Sequence, residues 1–127
     1  MIVGIGIDIL CVSRIEAIVR RGGRFTGRFA RRILSDREIG YFGSTVATQE
    51  ETAQIKYLAT RWCLKEAVYK AAYPHQTLRW SDVTVVKTGP KPTMDVRWGP
   101  GLANAQTHVS LSHDGGMLAG VVVVETS

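Results

Sequence analysis

The first ten residues alternate between two kinds of side chain, and this alternation restricts the fold more than any other feature of the chain. One face carries the β-branched residues Val3, Ile5, Ile7 and Ile9. The other face carries Gly4, Gly6, Asp8 and Leu10. A period of two predicts a strand over residues 2–10. The second face is bare before Asp8, so we expect another backbone or a ligand to approach closely there.

Helices are expected to follow this strand. Capping-box patterns mark three helix starts, at Ser13 with Glu16, Ser35 with Glu38, and Thr48 with Glu51. The first helix is expected to run to about Arg21, before a pair of glycines. Aromatic and aliphatic residues spaced by four predict a short second helix over residues 25–33. The third is expected to continue for a turn or two, through residues 41 and 42.

The longest helix is predicted between Thr48 and Pro74, which stands where helices usually stop. Its predicted apolar stripe is Ile55, Leu58, Trp62, Glu66, Tyr69 and Tyr73. Glu66 is the anomaly on this stripe, because a carboxylate among aromatic residues is costly unless a cation or a donor satisfies it. An ion pair with a nearby base and a functional role are both open.

Two further charged residues belong with Glu66. Lys70 lies one helical turn later, either in an ordinary Glu–Lys surface pair or in a functional site. Asp8 ends the glycine face, either as an acid near a helix start or as a functional carboxylate. Asp8 and Glu66 together would suit a hard cation such as Mg²⁺, which takes one or two protein carboxylates along with phosphate oxygens and water.

The second half of the chain predicts strands. Antiparallel pairing is expected between Val83–Lys87 and Thr93–Trp98, across a turn containing Gly89-Pro90-Lys91-Pro92. A short linker or helical turn over residues 100–106 leads to two more strands, at His108–Ser112 and Leu118–Glu125. The chain is therefore expected to be a single α+β domain over residues 1–127, with a mainly antiparallel sheet packed against a long helix.

The strand at His108–Ser112 is unusually polar. His108, Ser110 and Ser112 share one face, and His113 stands at the end of the strand. Hydroxyl and imidazole groups at a strand end can bind phosphate, although a structural role remains the alternative for each histidine. The spacing of Cys and His does not match a zinc site.

Charge points to an anionic partner. The 127 residues carry a net charge of +5, and seven arginines fall between Arg14 and Arg32. Nucleic acid, an acidic protein and a solvated basic face all agree with the charge alone. A nucleic-acid-binding module would leave Glu66 unexplained and has no aromatic RNA-binding motif here. A metal-dependent phosphohydrolase that acts on nucleotides is a further alternative, which would use Asp8 and Glu66 without a second protein as acceptor.

The motifs in this order resemble the holo-[acyl-carrier-protein] synthase family of 4′-phosphopantetheinyl transferases. The first matching block is Gly6-Ile7-Asp8-Ile9, followed by Arg14-Ile15-Glu16. The second runs from Arg61 through Lys65-Glu66-Ala67 to Lys70-Ala71, and the third is His108 to Asp114. The resemblance spans almost the whole chain. It implies the phosphopantetheinyl transferase fold, and transfer of phosphopantetheine from coenzyme A to a serine of an apo acyl carrier protein.

The resemblance also implies roles for individual residues. Asp8 and Glu66 would hold Mg²⁺, or Mn²⁺ in its place, and would act in catalysis with Lys70. Coenzyme A would contact Arg61, Lys65, Lys70, Lys91, Ser112 and His113. Either Glu66 or a water held by the metal would take the serine proton. Pro90 separates Gly89 from Lys91 where relatives have a contiguous Gly-Lys-Pro, which leaves the role of Lys91 open.

The remaining expectations concern partners and compartment. An acidic carrier is expected to dock on Arg14, Arg21, Arg24, Phe25 and Arg28. Small members of the family are similar in forming homotrimers with active sites between subunits, so we expect the same here. Neither nucleic acid nor a membrane is expected as a partner. The chain opens directly on the first strand, without a signal- or transit-peptide pattern, and is expected to be cytoplasmic, or mitochondrial if eukaryotic.

Overall fold

The computed structural model describes residues 1–88 and 91–127. Within these ranges the helices are α1 (Ser13–Arg20), α2 (Gly23–Ile33), α3 (Asp36–Ser44) and α4 (Glu51–Ala72). The strands are β1 (Ile2–Cys11), β2 (Val83–Thr88), β3 (Lys91–Val96), β4 (Gln106–Asp114) and β5 (Met117–Glu125). Single turns of 3-10 helix occur at Val46–Thr48, Trp80–Asp82 and Pro100–Leu102.

The strands form two antiparallel sheets. A three-stranded sheet has the order β1-β5-β4, and β2 pairs with β3 in a two-stranded sheet. The tight hairpin between β4 and β5 turns at Gly115 and Gly116, both of which have positive φ. The predicted α+β class, with an antiparallel sheet against a long helix, is confirmed.

The glycine face of β1 lies directly against α4. A Cβ atom at Gly4 would overlap the carbonyl oxygen of Ala71, and one at Gly6 would overlap the carbonyl oxygen of Ala67. The close neighbour expected from the sequence is therefore the helix backbone. This contact sets how α4 crosses the sheet, and it brings the next residue on the same face, Asp8, alongside the helix.

Only one of the three predicted capping boxes forms. Ser35 accepts from the N–H of Glu38, and the Glu38 carboxylate accepts from the N–H of Ser35. The helix start predicted at Ser13 is confirmed, because α1 begins there, but Val12 is its N-cap and makes no side-chain cap, so the capping box does not form. The helix start predicted at Thr48 is wrong, because a 3-10 turn ends there and α4 begins after Glu50. The spacing of residue types does not by itself specify the extended backbone that a cap requires.

The predicted apolar stripe of α4 is correct only in its first half. Ile55 and Leu58 are buried, but Tyr69 and Tyr73 are exposed. The second half instead buries the smaller residues Ala67, Val68, Ala71 and Ala72. The reason is the glycine face of β1, which lets the backbone of α4 approach so closely that alanines fill the contact. Glu66 consequently lies at the edge of the buried face.

Strand bounds differ slightly from the predictions. β3 begins at Lys91 and ends at Val96, so Trp98 lies beyond it. β4 extends past both of its predicted ends, β5 begins one residue earlier than predicted and ends at Glu125 as predicted, and 3-10 structure occupies part of the expected linker at residues 100–106. Within the predicted turn, residues 89 and 90 lie outside the described residues.

The face of the three-stranded sheet that points away from α4 is uncovered. It exposes Ile2, Ile5, Ile7 and Ile9 on β1. Cross-strand register places Val121 and Val123 of β5 beside them, and Ser110 and His108 of β4 beyond. None of the helices in the described part of the chain is both long enough and apolar enough to cross a bilayer.

Candidate active site

Asp8, Glu66 and Lys70 meet where β1 crosses α4. The Lys70 ammonium donates to the backbone carbonyl of Ile7 at 3.0 Å and to Asp8 Oδ1 at 3.2 Å. Asp8 is only 13% exposed in its side chain, while Lys70 is half exposed. Gly6 allows this contact, because without a Cβ atom the strand can lie directly against the backbone of α4 at Ala67, next to these side chains.

The charge on Asp8 reaches Glu66. Burial raises the pKa of the Glu66 carboxyl, and the negative charge of Asp8 raises it further. Lys70 and Arg14 oppose this increase in the pKa. Two carboxylates that repel each other at the edge of a buried face attract a cation and favour proton uptake. Asp8 and Glu66 therefore lie close enough for their charges to interact.

Glu66 also borders a cleft of about 150 Å³. The side chains that line it are Lys65, Glu66, Tyr69, Leu78, Arg79, Trp80 and Val83. The cleft thus lies between one edge of α4 and the segment that leads into β2. It offers a concave surface directly beside the carboxylates, where a phosphorylated ligand could extend away from them.

Lys65 does not present its charge to this cleft. Its ammonium is 1% exposed and binds the Glu38 carboxylate, the Ile33 carbonyl at 2.7 Å and the Trp80 carbonyl at 3.2 Å. Burial lowers the pKa of Lys65, although Glu38 opposes the change. The expectation that Lys65 faces coenzyme A phosphates needs correction, because all three donors are occupied inside the protein.

Arg61 belongs to the same buried cluster. Its Nε atom lies 3.7 Å from Glu38 Oε2, and its guanidinium stacks 3.6 Å from the Tyr57 ring centroid. The side chain is largely buried, and Nε itself has no hydrogen-bond partner. This placement gives Arg61 a structural role first, so its predicted contact with coenzyme A is not supported by an exposed charge.

Of the two roles of Glu38, the sequence predicts only the capping box with Ser35 and not the contacts with α4 and β2. Its Oε1 atom accepts from the Ser35 N–H at 2.9 Å, as the capping box predicts, and also from Lys65. Its Oε2 atom accepts from the Val85 N–H at 2.9 Å. Glu38 therefore ties α3 to α4 and β2. The sequence signal for this wider role is weak, since both bases lie more than twenty residues away.

The histidine–serine strand is not brought to Glu66 within one chain. Ser112 is registered with Ala119 and Ile9, on the face opposite Asp8. His113 is registered with Leu118 and Leu10, on the same face as Asp8 but with β5 between the two strands, about 10 Å across. Lys91 is exposed at the start of β3, in the other sheet.

The predicted carrier-docking residues form one exposed basic surface on α1 and α2. The arginines on it are Arg14, Arg21, Arg24 and Arg28. Phe25 is half-buried, and the guanidinium of Arg21 lies 4.0 Å above its ring centroid. Arg14 is close enough to Glu66 to lower its pKa, so this surface borders the carboxylate site.

The two cysteines are both free and differ in environment. Burial raises the pKa of the Cys63 thiol to about 12, as expected for an inert core thiol. Cys11 is exposed, and a hydrogen bond with Ser13 lowers the pKa of its thiol.

The fold and the carboxylate–lysine site define a class. A family model described as "4′-phosphopantetheinyl transferase superfamily" matches residues 4–122. The chain belongs to this superfamily. Among its relatives, the holo-[acyl-carrier-protein] synthase of Shouchella clausii is 36% identical, over 99% of this chain and 100% of the relative. That of Leptothrix cholodnii is 37% identical, over 99% and 98%.

Solved structures agree with these sequence matches. Helicobacter pylori holo-[acyl-carrier-protein] synthase in complex with coenzyme A has a TM-score of 0.68 and 30% identity, over 95% of this chain and 99% of that one. The Bacillus anthracis enzyme in complex with CoA (3′,5′-ADP) has a TM-score of 0.75 and 26% identity, over 100% and 99%. Within the superfamily, the chain is thus an enzyme of the holo-[acyl-carrier-protein] synthase type.

Proposed function

We propose that this protein transfers the 4′-phosphopantetheine group of coenzyme A to a serine of an apo acyl carrier protein and releases 3′,5′-ADP. The observation that carries the proposal is the meeting of Asp8, Glu66 and Lys70 beside a cleft. Relatives with the same fold bind coenzyme A, which supplies a diphosphate of the right chemistry for such a site.

The carboxylates fit a magnesium site. Asp8 and Glu66 are hard oxygen ligands on a rigid strand and a rigid helix, and burial together with the charge of Asp8 raises the pKa of Glu66, which a bound cation would oppose. Among the described residues, no group of three His, Cys, Asp or Glu side chains could hold a metal ion. Because Mg²⁺ usually takes only one or two protein carboxylates, with phosphate oxygens and water as its other ligands, we propose that Asp8 and Glu66 hold Mg²⁺, or Mn²⁺ in its place. When bound, the ion would neutralise charge on the diphosphate.

The proposed chemistry is an in-line substitution at the β-phosphorus of coenzyme A. A bond forms between the serine oxygen and that phosphorus, and the bond to the bridging oxygen breaks, so the electron pair leaves with 3′,5′-ADP. Glu66 would accept the serine proton, either directly or through a water. Lys70 is half exposed beside Asp8 and would neutralise the departing phosphate.

The carrier would dock on the basic surface of α1 and α2. Four exposed arginines lie there, and one of them, Arg21, stacks on the Phe25 ring, a combination that suits an acidic partner with a small apolar contact. Because Arg14 lies at the edge of this surface and near Glu66, a carrier docked here would present its serine to the carboxylates.

The complete site would need a second copy of the chain. Ser112 faces away from Asp8 in its own subunit, on the uncovered sheet face with the exposed isoleucines. Packing of copies through that face would bury these isoleucines and carry the β4 end of one subunit toward a neighbour. We propose a homotrimer with three sites between subunits. The free thiols of Cys11 and Cys63 suit a reducing compartment such as the cytoplasm.

Mass spectrometry of the carrier tests the reaction. The protein is incubated with an apo acyl carrier protein, coenzyme A and Mg²⁺, and we expect the carrier to gain one phosphopantetheine while 3′,5′-ADP appears in equal amount. Glu66→Gln and Asp8→Asn should abolish the gain. Glu51→Gln, an exposed change on the same helix, should leave it unchanged. Release of 3′,5′-ADP at the same rate without carrier would instead identify a phosphohydrolase.

A further inference from the structure

An ion pair lies on the uncovered sheet face, among its aliphatic side chains. The Nε2 atom of His108 and the Oε1 atom of Glu125 are 2.8 Å apart. Strand register places His108 beside Val123 and Ile5 in one row across the sheet, and Glu125 lies two residues further along β5, on the same face. The carboxylate site lies on the opposite face, so this pair takes no part in the chemistry proposed there.

Apart from this pair, the face is uncharged along most of its length. The neighbouring side chains on β1 and β5 are isoleucine, valine and alanine, and those on β4 are Ser110 and Ser112. The chain as a whole carries a net charge of +5, so two copies repel each other through most of their surface. A long apolar face whose main charges neutralise each other therefore favours a second copy of the same chain as its occupant.

The other titratable groups around His108 are either distant or engaged elsewhere. Asp114 shares the face and the strand, but it lies six residues away, about 20 Å along β4. Asp95 on the neighbouring strand β3 pairs with Arg37, and the N-terminal amine donates to the carbonyl of Thr126. The remaining groups on the adjoining strands are Lys91 on β3 and the Cys11 thiol at the far end of β1. Glu125 is thus the charge that His108 contacts directly.

Water still reaches both members of the pair. The side chain of His108 is 57% exposed and that of Glu125 is 43% exposed, so solvent screens their charges in a single chain. A second copy on this face would remove much of that water. A carboxylate that loses its water is costly unless a cation stays beside it. Histidine can supply or withdraw this cation, because its side chain changes charge between about pH 5 and 8.

We propose that self-association of this chain through the uncovered sheet face is linked to proton uptake, with His108 and Glu125 as the pair that makes it tighter in acid. Below the range in which His108 loses its proton, the pair is neutral and can be covered. Above that range the charge of Glu125 remains, and every copy brings it into the contact. The inference rests on the proposed homotrimer, whose site is complete only when copies assemble, so pH would set the fraction of complete sites.

Sedimentation velocity over a series of protein concentrations tests this linkage at about pH 5.5 and pH 8. We expect the wild-type protein to reach half-assembly at a concentration about fivefold to tenfold lower at the acidic pH, the scale of one close charge pair in a contact. His108→Gln cannot take up the proton and should remove the difference. Circular dichroism at both pH values reports whether each variant is folded.

The carboxylate variant gives a result of opposite sign. In Glu125→Gln a protonated His108 has no counterion on the face, so assembly should become weaker in acid instead of tighter. His75→Gln is the matched control, because it removes a histidine that follows α4, outside both sheets, and should keep the wild-type difference. A pH difference that persists in His108→Gln overturns the proposal, and so does a wild-type difference retained by Glu125→Gln.

The behaviour of the wild-type protein keeps this inference apart from the proposed function. If the chain stays monomeric at every concentration and at both pH values, the proposed homotrimer falls and this inference falls with it. If the chain assembles equally tightly at both pH values, the homotrimer stands and only this inference falls. Phosphopantetheine transfer to the carrier is measured separately by mass spectrometry, so the proposed reaction does not depend on either outcome.

Discussion

Lys65 and Glu66 are consecutive residues with different surroundings. A step of one residue turns an α-helix by about 100°, which is enough to move a side chain from the interior to the edge of a buried face. Lys65 points inward, where three oxygens surround its ammonium, while Glu66 reaches the cleft. Both are charged positions in a mainly apolar helix, and the resemblance to the family implied a function for both. Only the buried contacts of Lys65 separate the two roles.

The pKa of Glu66 should respond to its neighbours with opposite signs. In the free protein the Glu66 carboxyl should titrate above the ordinary glutamate value, so it takes up its proton at a higher pH as the solution is acidified. Asp8→Asn removes a repelling charge and should lower this pKa. Lys70→Met removes an attracting charge and should raise it further. Carboxyl ¹³C NMR titration measures all three. Shifts in the same direction for the two variants would contradict the electrostatic assignment.

Loss of Glu38 should destabilise the whole domain. Glu38→Gln leaves the buried Lys65 ammonium without its counterion, and removal of one partner from a buried ion pair typically costs about 3–5 kcal/mol of unfolding free energy. Urea denaturation followed by circular dichroism measures the loss. Glu51→Gln, at an exposed position, should change the unfolding free energy by no more than about 0.5 kcal/mol. Similar values for both variants would contradict a structural role for the cluster.

At the scale of elements, the contact between β1 and α4 positions the proposed catalytic side chains. The two glycines of β1 allow a strand and a helix to approach backbone to backbone, and alanines of α4 complete the contact. Asp8 and Lys70 are then held by rigid elements on both sides. A site built this way keeps its carboxylates in place before any ligand arrives, which lowers the cost of organising the reaction.

A single methyl group on β1 should disturb both stability and activity. Gly6→Ala places a Cβ atom onto the Ala67 carbonyl, so the helix must move, and we expect a loss of about 1–3 kcal/mol in unfolding free energy together with a lower kcat. Gly43→Ala is the matched control, because its Cβ would meet open space on a helix and should be neutral or stabilising. Thermal melting with a transfer assay checks both. Equal stability of the two variants would contradict the close packing.

The helices α1 and α2 carry the proposed docking surface, and their charge can be tested separately from the proposed active site. Arg21→Glu and Arg24→Glu should raise the KM for an acidic carrier by about tenfold in low salt, because steering and contact both lose a favourable charge. The affinity for 3′,5′-ADP should not change. Lys56→Glu reverses an exposed charge on α4, outside the docking surface, and serves as control. Equal losses for carrier and nucleotide would contradict the docking assignment.

For the whole molecule, the uncovered sheet face is the most unusual surface. Exposed fractions of 56–66% for Ile5, Ile7 and Ile9 in one row are costly in water, since each buried isoleucine would gain about 1.5–3 kcal/mol. Other exposed hydrophobic residues of the described chain are more scattered. A charged residue introduced in this row should therefore weaken assembly more than it destabilises the fold of one subunit.

If the proposed trimer forms through this face, Ile7→Glu should convert it to a monomer and reduce transfer, with sedimentation velocity as the measurement. Tyr41→Glu, an exposed change on α3, should leave the assembly intact. Mixing supplies an independent check: Glu66→Gln and His113→Ala chains should each be inactive, and random co-assembly should restore about a quarter of the sites if the two residues come from different subunits. Absence of recovery in a confirmed mixed trimer would show that one chain supplies both.

The sequence alone determined the elements and the pair of carboxylates. Strong periodicity predicted the first strand, the long helix and the later hairpins, because alternation and helical spacing are local properties. The combination of Gly6-Ile7-Asp8 with Lys65-Glu66-Ala67 and Lys70 was specific enough to indicate the family. Local pattern also explains the errors, since only one of three capping boxes formed and the aromatic end of the α4 stripe proved to be exposed.

Only the tertiary structure decided which charged side chains are exposed and which are paired in the interior. Whether a charged side chain is already paired depends on residues distant in sequence, as the pairing of Lys65 with Glu38 across 27 positions shows. The same is true of the sheet order, because β5 inserts between β1 and β4 and keeps His113 away from Asp8. Solvation and pairing depend on contacts that close only when the chain folds, so neither can be read from the order of residue types.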